Sequence, residues 1–330
     1  MHSELRQDLV TGDWILIAPG RARRPLDFLD SKKPRVILPK TNCPFEDLRK
    51  SGGEVPSLYY AGKKDWRVQI VPNKYPAVMP SDKLSTWLRN GPYVKLPGTG
   101  RHDIVITRDH YKNFAELSFA DARLVFRAFR ERYQMFVKDS DYLAYASIFH
   151  NWGPSAGASI FHPHYQIIAL PIVPPDVAHS LAGSKSYFDK NKKCVHCQIL
   201  RQETKDKKRI LHENDCAIAY APYVSRTPFE LRIFPKRHSP YFEDAPKCEV
   251  DCVVRTLQAI LRILKKRLKD PDYNFFIHTA PILEKKYYGH YHWHIEIRPK
   301  ISTPAGFELS TGIDINVVDP DVAAKILKSR

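Results

Sequence analysis

The sequence predicts an α+β fold made from one unit used twice, and three observations carry this reading. Sliding the 330-residue chain against itself by 128 positions places His110 on His238, His150 on His278 and His164 on His292 without a gap. The flanks agree, since "DIVITRDHYKNFAEL" reads like "LRIFPKRHSPYFEDA": an alternating strand, a basic turn, a histidine and then an aromatic residue. Each copy continues into a segment whose apolar residues recur at three and four, the period of an amphipathic helix, "FADARLVFRAFRERYQMFV" in the first and "CEVDCVVRTLQAILRILKKRL" in the second.

The elements then follow in the same order in both copies. A strand ending in histidine comes next ("YASIFHNWG" and "YNFFIHTAP"), then a loop, then a His-x-His strand ("FHPHYQIIALP" and "YHWHIEIRP"). A slip of two residues preserves a strand's faces and pairs His162 with His292 instead, so two registers stay open for the last strand. The expected division is an N-terminal half over residues 1–180, carrying the His-Pro-His-x-Gln strand, and a C-terminal half over 181–330, carrying a Cys-x-x-Cys loop.

Composition bounds the function. At 43% hydrophobic and 27% charged the chain can bury a large core. No apolar run approaches the roughly 18 residues that cross a bilayer, and the start "MHSELRQDLVTGDW" lacks the regions of a signal peptide, so a cytoplasmic protein without a membrane partner is expected. The net charge of +16 is spread over short clusters such as "RARRP", "KKDWR" and "LKKRLKD". That pattern fits anionic small substrates better than nucleic acid, which needs a concentrated basic surface. Six cysteines without an export signal do not read as a disulfide framework. Cys216, Cys248 and Cys252 lie in apolar or helical surroundings and read as packing residues.

The remaining cysteines point to metal. Cys194 and Cys197 form "CVHC" and are followed by His238 and His292; in the first copy Cys43 and Glu46 of "CPFE" are followed by His110 and His162. Four such donors suit tetrahedral zinc, and a filled shell suits a structural ion, so one or two structural zinc ions are the expected cofactors.

Alternation along "FHPHYQII" places His162, His164 and Gln166 on one strand face. With His162 on a metal, His164 is free to act as a nucleophile: a neutral imidazole attacks phosphorus without prior deprotonation and leaves a labile phosphoramidate. The amide of Gln166 can donate to a phosphoryl oxygen but cannot deliver a proton. It therefore suits a leaving group that is already a stable anion, such as a sugar phosphate with a last pKa of about 6. The small-residue loop "NWGPSAGAS" precedes the strand; its backbone amides, with Ser159 as an extra donor, are expected to approach a phosphate.

These segments, with "RQDLVTGDWILIAPGRARRP", "RVQIVPNKYPAV", "RTPFELRIFPKRHSPYFED" and "YYGHYHWHIEIRPKISTPAGFELSTGIDIN", resemble the galactose-1-phosphate uridylyltransferase family, the transferase branch of the histidine-triad superfamily. The resemblance implies two duplicated histidine-triad-like halves, mainly antiparallel sheet with flanking helices, and a homodimer. It also implies ping-pong transfer of UMP from UDP-glucose to galactose 1-phosphate, giving glucose 1-phosphate and UDP-galactose through a uridylyl-His164 intermediate. Carried over by motif, Gln166 and Ser159 would contact the phosphoryl group, Arg21, Asn73, Asn151 and Gly157 the nucleotide, and Phe307 and Glu308 the hexose. Cys43, His110 and His162 match the family's zinc positions, while Glu46 stands where a second cysteine is usual. The lysine often found ahead of "GFE" is absent, with Ser302 near its place. A second reading keeps the covalent chemistry but changes the substrates: an adenylyltransferase or nucleotide-sugar phosphorylase using ADP-glucose, with phosphate as the acceptor. A third, of another class, is a zinc-stabilised nucleic-acid-binding protein.

Overall fold

A computed structural model describes residues 2–21, 35–81, 86–139 and 141–329; beyond Arg21, the "RARRP" cluster lies outside the described residues. In chain order the strands are β1 (Glu4–Gln7), β2 (Trp14–Ile17), β3 (Leu58–Tyr60), β4 (Val68–Pro72), β5 (Leu88–Asn90), β6 (Tyr93–Lys95), β7 (Arg101–Thr107), β8 (Tyr145–Trp152), β9 (His164–Leu170), β10 (Ile210–Glu213), β11 (Ala217–Tyr220), β12 (Leu231–Pro235), β13 (Tyr273–His278), β14 (His294–Pro299) and β15 (Ile315–Asn316). The helices are α1 (Phe119–Asp139), α2 (Pro175–Asn191), α3 (Val195–Asp206), α4 (Lys247–Arg267), α5 (Gly306–Thr311) and α6 (Pro320–Lys328).

Ten strands make one sheet in the order β10-β11-β12-β14-β13-β8-β9-β7-β4-β3, with every neighbouring pair antiparallel. Read outward from the β8–β13 seam, the two sides repeat. One runs β8, β9, β7, β4, β3 and the other β13, β14, β12, β11, β10, with α1 and α4 as the matching crossovers. The α+β duplication predicted from the self-match is present in the topology. The expected division at 180/181 falls inside α2.

Strand pairing resolves the open register. Ile104 faces Gln166 across β7 and β9, and Arg232 faces Glu296 across β12 and β14. Gln166 therefore corresponds to Glu296, His164 to His294 and His162 to His292. The match of His150 with His278 does not hold. His150 pairs with Tyr165, whereas the corresponding position opposite Ile295 is Ile277. A slip of one residue exchanges the two faces of a strand. Accordingly His150 is fully buried in the core, while His278 lies on the opposite face beside His294 and Glu296.

One face of the sheet is covered by α1 and α4. Val250, Val253, Val254, Leu257, Ile260, Leu261 and Leu264 of α4 are buried at the helical spacing, as are Ala122, Val125, Phe126, Phe129 and Tyr133 of α1. Burying each large apolar side chain contributes about 1.5–3 kcal/mol, so this layer anchors the sheet and leaves its other face for chemistry. All six cysteines are unpaired; Cys216 and Cys252 are partly buried, but Cys248 is exposed and does not pack as expected, because it sits on the solvent side of the first turn of α4. Among the described residues no helix is long and apolar enough to cross a membrane.

Candidate active site

The strand that carries the site starts later than the alternation implies: β9 begins at His164, and His162 and Pro163 precede it. His164 Nδ1 lies 2.9 Å from the His162 carbonyl oxygen. A carbonyl only accepts, so the ring proton sits on Nδ1 and the Nε2 lone pair is left free. Burial pushes the His164 pKa below its ordinary value, which keeps the ring neutral at physiological pH. The ring opens on a cavity of about 480 Å³ lined by Phe45, Asn73, Lys74, His102, Ser159 and Gln166 among others. Phe45 meets His164 edge to face, with centroids 5.1 Å apart. From the core side, His150 Nδ1 donates to the His164 carbonyl at 2.7 Å and so pins the start of β9.

The loop before β9 does something other than expected. Gly153 has φ +86°, and a Cβ there would come within 2.1 Å of Asp272 Oδ1, so only glycine fits. The Ser155 N–H donates to Asp272 at 2.9 Å. The N–H groups of Ala156 and Ala158 donate to the Gly153 carbonyl, and that of Gly157 to the Pro154 carbonyl. With these four amides already engaged, the loop is a clasp that delivers Ser159 to the cavity, and these four are not free to hold an anion. Asn151 accepts from Asn274 Nδ2 at 2.8 Å, with Gly157 beside it, and neither lines the cavity. Arg21, Phe307 and Glu308 do not line it either; Phe307 and Glu308 sit on α5, where the Glu308 carboxylate accepts from the Ala305 N–H. Sequence reasoning does not anticipate His102, Phe45 or His150 at the site.

The candidate metal residues gather in two groups, the first of them without Glu46. Cys194, Cys197, His238 and His292 bring their donor atoms within 4.8 Å of one another, as do Cys43, His110 and His162. Zinc bonds of about 2.3 Å to sulfur and 2.0 Å to nitrogen at a tetrahedral angle place the two donors roughly 3.5 Å apart. Cys197 Sγ lies 3.4 Å from His238 Nδ1 and 3.6 Å from His292 Nδ1, and Cys43 Sγ lies 3.5 Å from His162 Nδ1. The donor sets fit zinc. In three of the four histidines the far nitrogen is already used, His162 Nε2 donating to the Thr107 carbonyl, His110 Nε2 to that of Leu38 and His238 Nε2 to that of Gly289, which leaves their Nδ1 as the ligand atom; His292 Nε2 is buried without a hydrogen-bond partner. Glu46 joins from the histidine side only, its Oε1 being 3.1 Å from His110 Nδ1 and 3.5 Å from His162 Nδ1. A third group, His278, His294 and Glu296, is the counterpart of the His164 and Gln166 face. There Arg298 and Arg232 already flank Glu296, a charge arrangement that opposes a cation.

Comparisons with known proteins bear on the family and the fold. A family model described as "Domain of unknown function (DUF4921)" matches residues 93–329. The ADP-glucose phosphorylase of Arabidopsis thaliana is 34% identical over 331 residues, covering 98% of this chain and 92% of that protein. The galactose-1-phosphate uridylyltransferase of Thermotoga maritima is 26% identical over 333 residues, covering 98% of both. Among solved structures, an Arabidopsis thaliana ADP-glucose phosphorylase with bound ADP-glucose superposes with a TM-score of 0.84 at 30% identity, covering 100% of this chain and 99% of that one. A uridylyltransferase structure gives 0.75 at 28% identity, covering 99% and 97%. Matches to both kinds of protein along nearly the whole chain, and in one fold, show that it belongs to the galactose-1-phosphate uridylyltransferase family and is an enzyme of that nucleotidyltransferase family.

Proposed function

We propose that the enzyme moves a nucleoside monophosphate from a nucleotide-sugar to an anionic acceptor through a nucleotidyl-His164 intermediate. The observation that carries this is the His164 ring, neutral, with its proton fixed on Nδ1 and its Nε2 free at the cavity. Nε2 attacks the phosphorus that bears the nucleoside, the bond to the bridging oxygen breaks, and sugar 1-phosphate leaves as an anion that needs no proton. The ring then carries positive charge, which the His162 carbonyl stabilises through Nδ1–H. Gln166 and Ser159 donate to the phosphoryl oxygens. In the second step an acceptor oxygen attacks the phosphorus and releases His164. Zinc, when bound, ties the CPFE segment to His162 and the CVHC helix to the second half of the sheet; its contribution is to folding.

The substrate pair we favour is ADP-glucose with inorganic phosphate, giving glucose 1-phosphate and ADP. Its support is the 34% identity to an ADP-glucose phosphorylase over 98% of this chain, against 26% to the uridylyltransferase. UDP-glucose with galactose 1-phosphate is the second reading, supported by the uridylyltransferase matches. Arg21, Phe307 and Glu308 do not line the cavity, so their substrate contacts are proposed to arise across a homodimer, whose presence light scattering would test. Assaying ADP-glucose and UDP-glucose, each with phosphate and with galactose 1-phosphate, separates the readings. Faster turnover of UDP-glucose with galactose 1-phosphate than of ADP-glucose with phosphate would reverse the preference.

A further inference from the structure

The amide of Gln166 serves as a phosphoryl donor only if its NH2 end, not its oxygen, faces the cavity. Nothing in the glutamine itself decides this, because its two ends have nearly the same shape. The neighbouring strand decides it. His102 and Ile104 of β7 lie opposite Ile168 and Gln166 of β9, and alternation puts the His102 and Gln166 side chains on the same face. His102 is buried, and its Nε2 is 2.9 Å from Gln166 Oε1.

The proton on His102 is fixed by a group that cannot reverse its role. The backbone N–H of Ala77 donates to His102 Nδ1 at 3.0 Å. Nδ1 must therefore hold a lone pair, and in the neutral ring the proton is on Nε2. Nε2–H donates to Gln166 Oε1. The opposite flip of the glutamine would set its NH2 against Nε2–H, two donors facing each other in a buried site, and is excluded on that ground. Asn73 does not disturb this assignment. Its Oδ1 accepts from the Tyr75 N–H at 3.0 Å, and its Nδ2 lies 3.0 Å from His102 Nε2 and 3.5 Å from Nδ1. Such closeness to both ring nitrogens puts the amide over the face of the ring, outside the plane in which Nε2–H points.

We propose that His102 is a positioning residue for nucleotidyl transfer: held in one tautomer by Ala77, it grips the oxygen of Gln166 and turns the Gln166 NH2 group toward the phosphoryl oxygen beside His164. The inference rests on the proposed nucleotidyl-His164 chemistry. It makes one ring the link between the Asn73–Ala77 turn, at the nucleotide side of the cavity, and the phosphoryl clamp.

The test is a double-mutant cycle read by single-turnover formation of nucleotidyl-His164 from ADP-glucose or UDP-glucose, with thermal melting of each protein alongside. Removing an oxyanion donor outright costs about 100- to 1000-fold, so losing only its orientation in His102→Leu is expected to slow the step by about 10- to 100-fold. The donor concentration giving half the maximal rate should stay within about twofold of the parent's. His102→Gln, which keeps a donor near the Nε2 position, should recover most of the lost rate. In a Gln166→Ala background, His102→Leu should change the rate by no more than about twofold, the scatter seen between independent sites, because the group it orients is gone. Losses that multiply in the double variant, a parent-like rate in His102→Leu, or a defect confined to the half-saturating concentration would each overturn the inference. If His102→Leu melts too early to assay, His102→Phe, which also lacks a donor but keeps a ring, carries the cycle alone and combined with Gln166→Ala with the same criteria. A parent enzyme that forms no adduct with either donor would remove the functional reading and this inference together, whereas a parent adduct with multiplicative losses removes this inference alone.

Discussion

Acid should destabilise this enzyme through His150, by an amount the structure allows to be worked out. His150 is fully buried on the core face of β8, against Tyr165 at 4.6 Å and Phe275 at 5.3 Å between ring centroids. Burial pushes its pKa from 6.5 down to about 3. Because the folded value lies below the unfolded one, the stability associated with the neutral ring is fully present above pH 6.5 and is lost as pH falls toward 3. A tenfold difference in proton affinity between the folded and unfolded chain is worth about 1.4 kcal/mol. Between pH 7 and pH 5 the unfolded ring takes up about three-quarters of a proton while the folded ring takes up almost none, a loss of about 2 kcal/mol. His150→Asn keeps a donor near the Nδ1 position for the His164 carbonyl but cannot titrate. It should cost roughly 2–4 kcal/mol at pH 7, from the lost ring contacts and the space left behind. Urea unfolding of both proteins at pH 7, 6 and 5 should show the gap between them narrowing by about 2 kcal/mol, since all other titrating groups are shared. Stability curves that run parallel from pH 7 to 5 would refute the reasoning.

Two further outcomes are expected. Metal analysis of the purified protein should find zinc, and Cys197→Ser should lower the melting temperature more than it lowers the rate of nucleotidyl transfer; a parent that is metal-free yet fully folded would contradict both ligand sets. Gln166→His should slow transfer or divert it toward hydrolysis, and should give the rate a new pH dependence, because a neutral clamp is replaced by a group that holds or delivers a proton; an unchanged pH profile with parent-like transfer would show that the glutamine matters only for packing.

Legible in the sequence are features that declare themselves locally or repeat. The duplicated order of strand, helix, strand and strand is visible because amphipathic period and histidine spacing recur together, and the metal groups because Cys-x-x-Cys and Cys-x-x-Glu are each followed, in the same order, by a histidine after a strand and the first histidine of a His-x-His strand. Hidden from it is whatever depends on pairing between distant residues. His102 looks like an ordinary histidine at the start of a strand, and only the β7–β9 register brings it to Gln166. The mismatch of His150 and His278 has the same origin: a slip of one residue leaves the aligned letters unchanged but reverses the faces. The glycine loop reads as an anion cradle because the sequence does not show that Asp272, far along the chain, takes the Ser155 amide.

The central claim is that His164 carries the nucleotide. Incubating the enzyme with ADP-glucose alone, and separately with UDP-glucose, followed by peptide mass spectrometry, tests it directly. The account predicts the mass of one nucleoside monophosphate on His164 in the peptide containing "FHPHYQ", labile to acid and stable to base, formed with an equal amount of glucose 1-phosphate and absent from His164→Gly. An adduct mapped to His162, or full turnover by the His164→Gly enzyme, would contradict it.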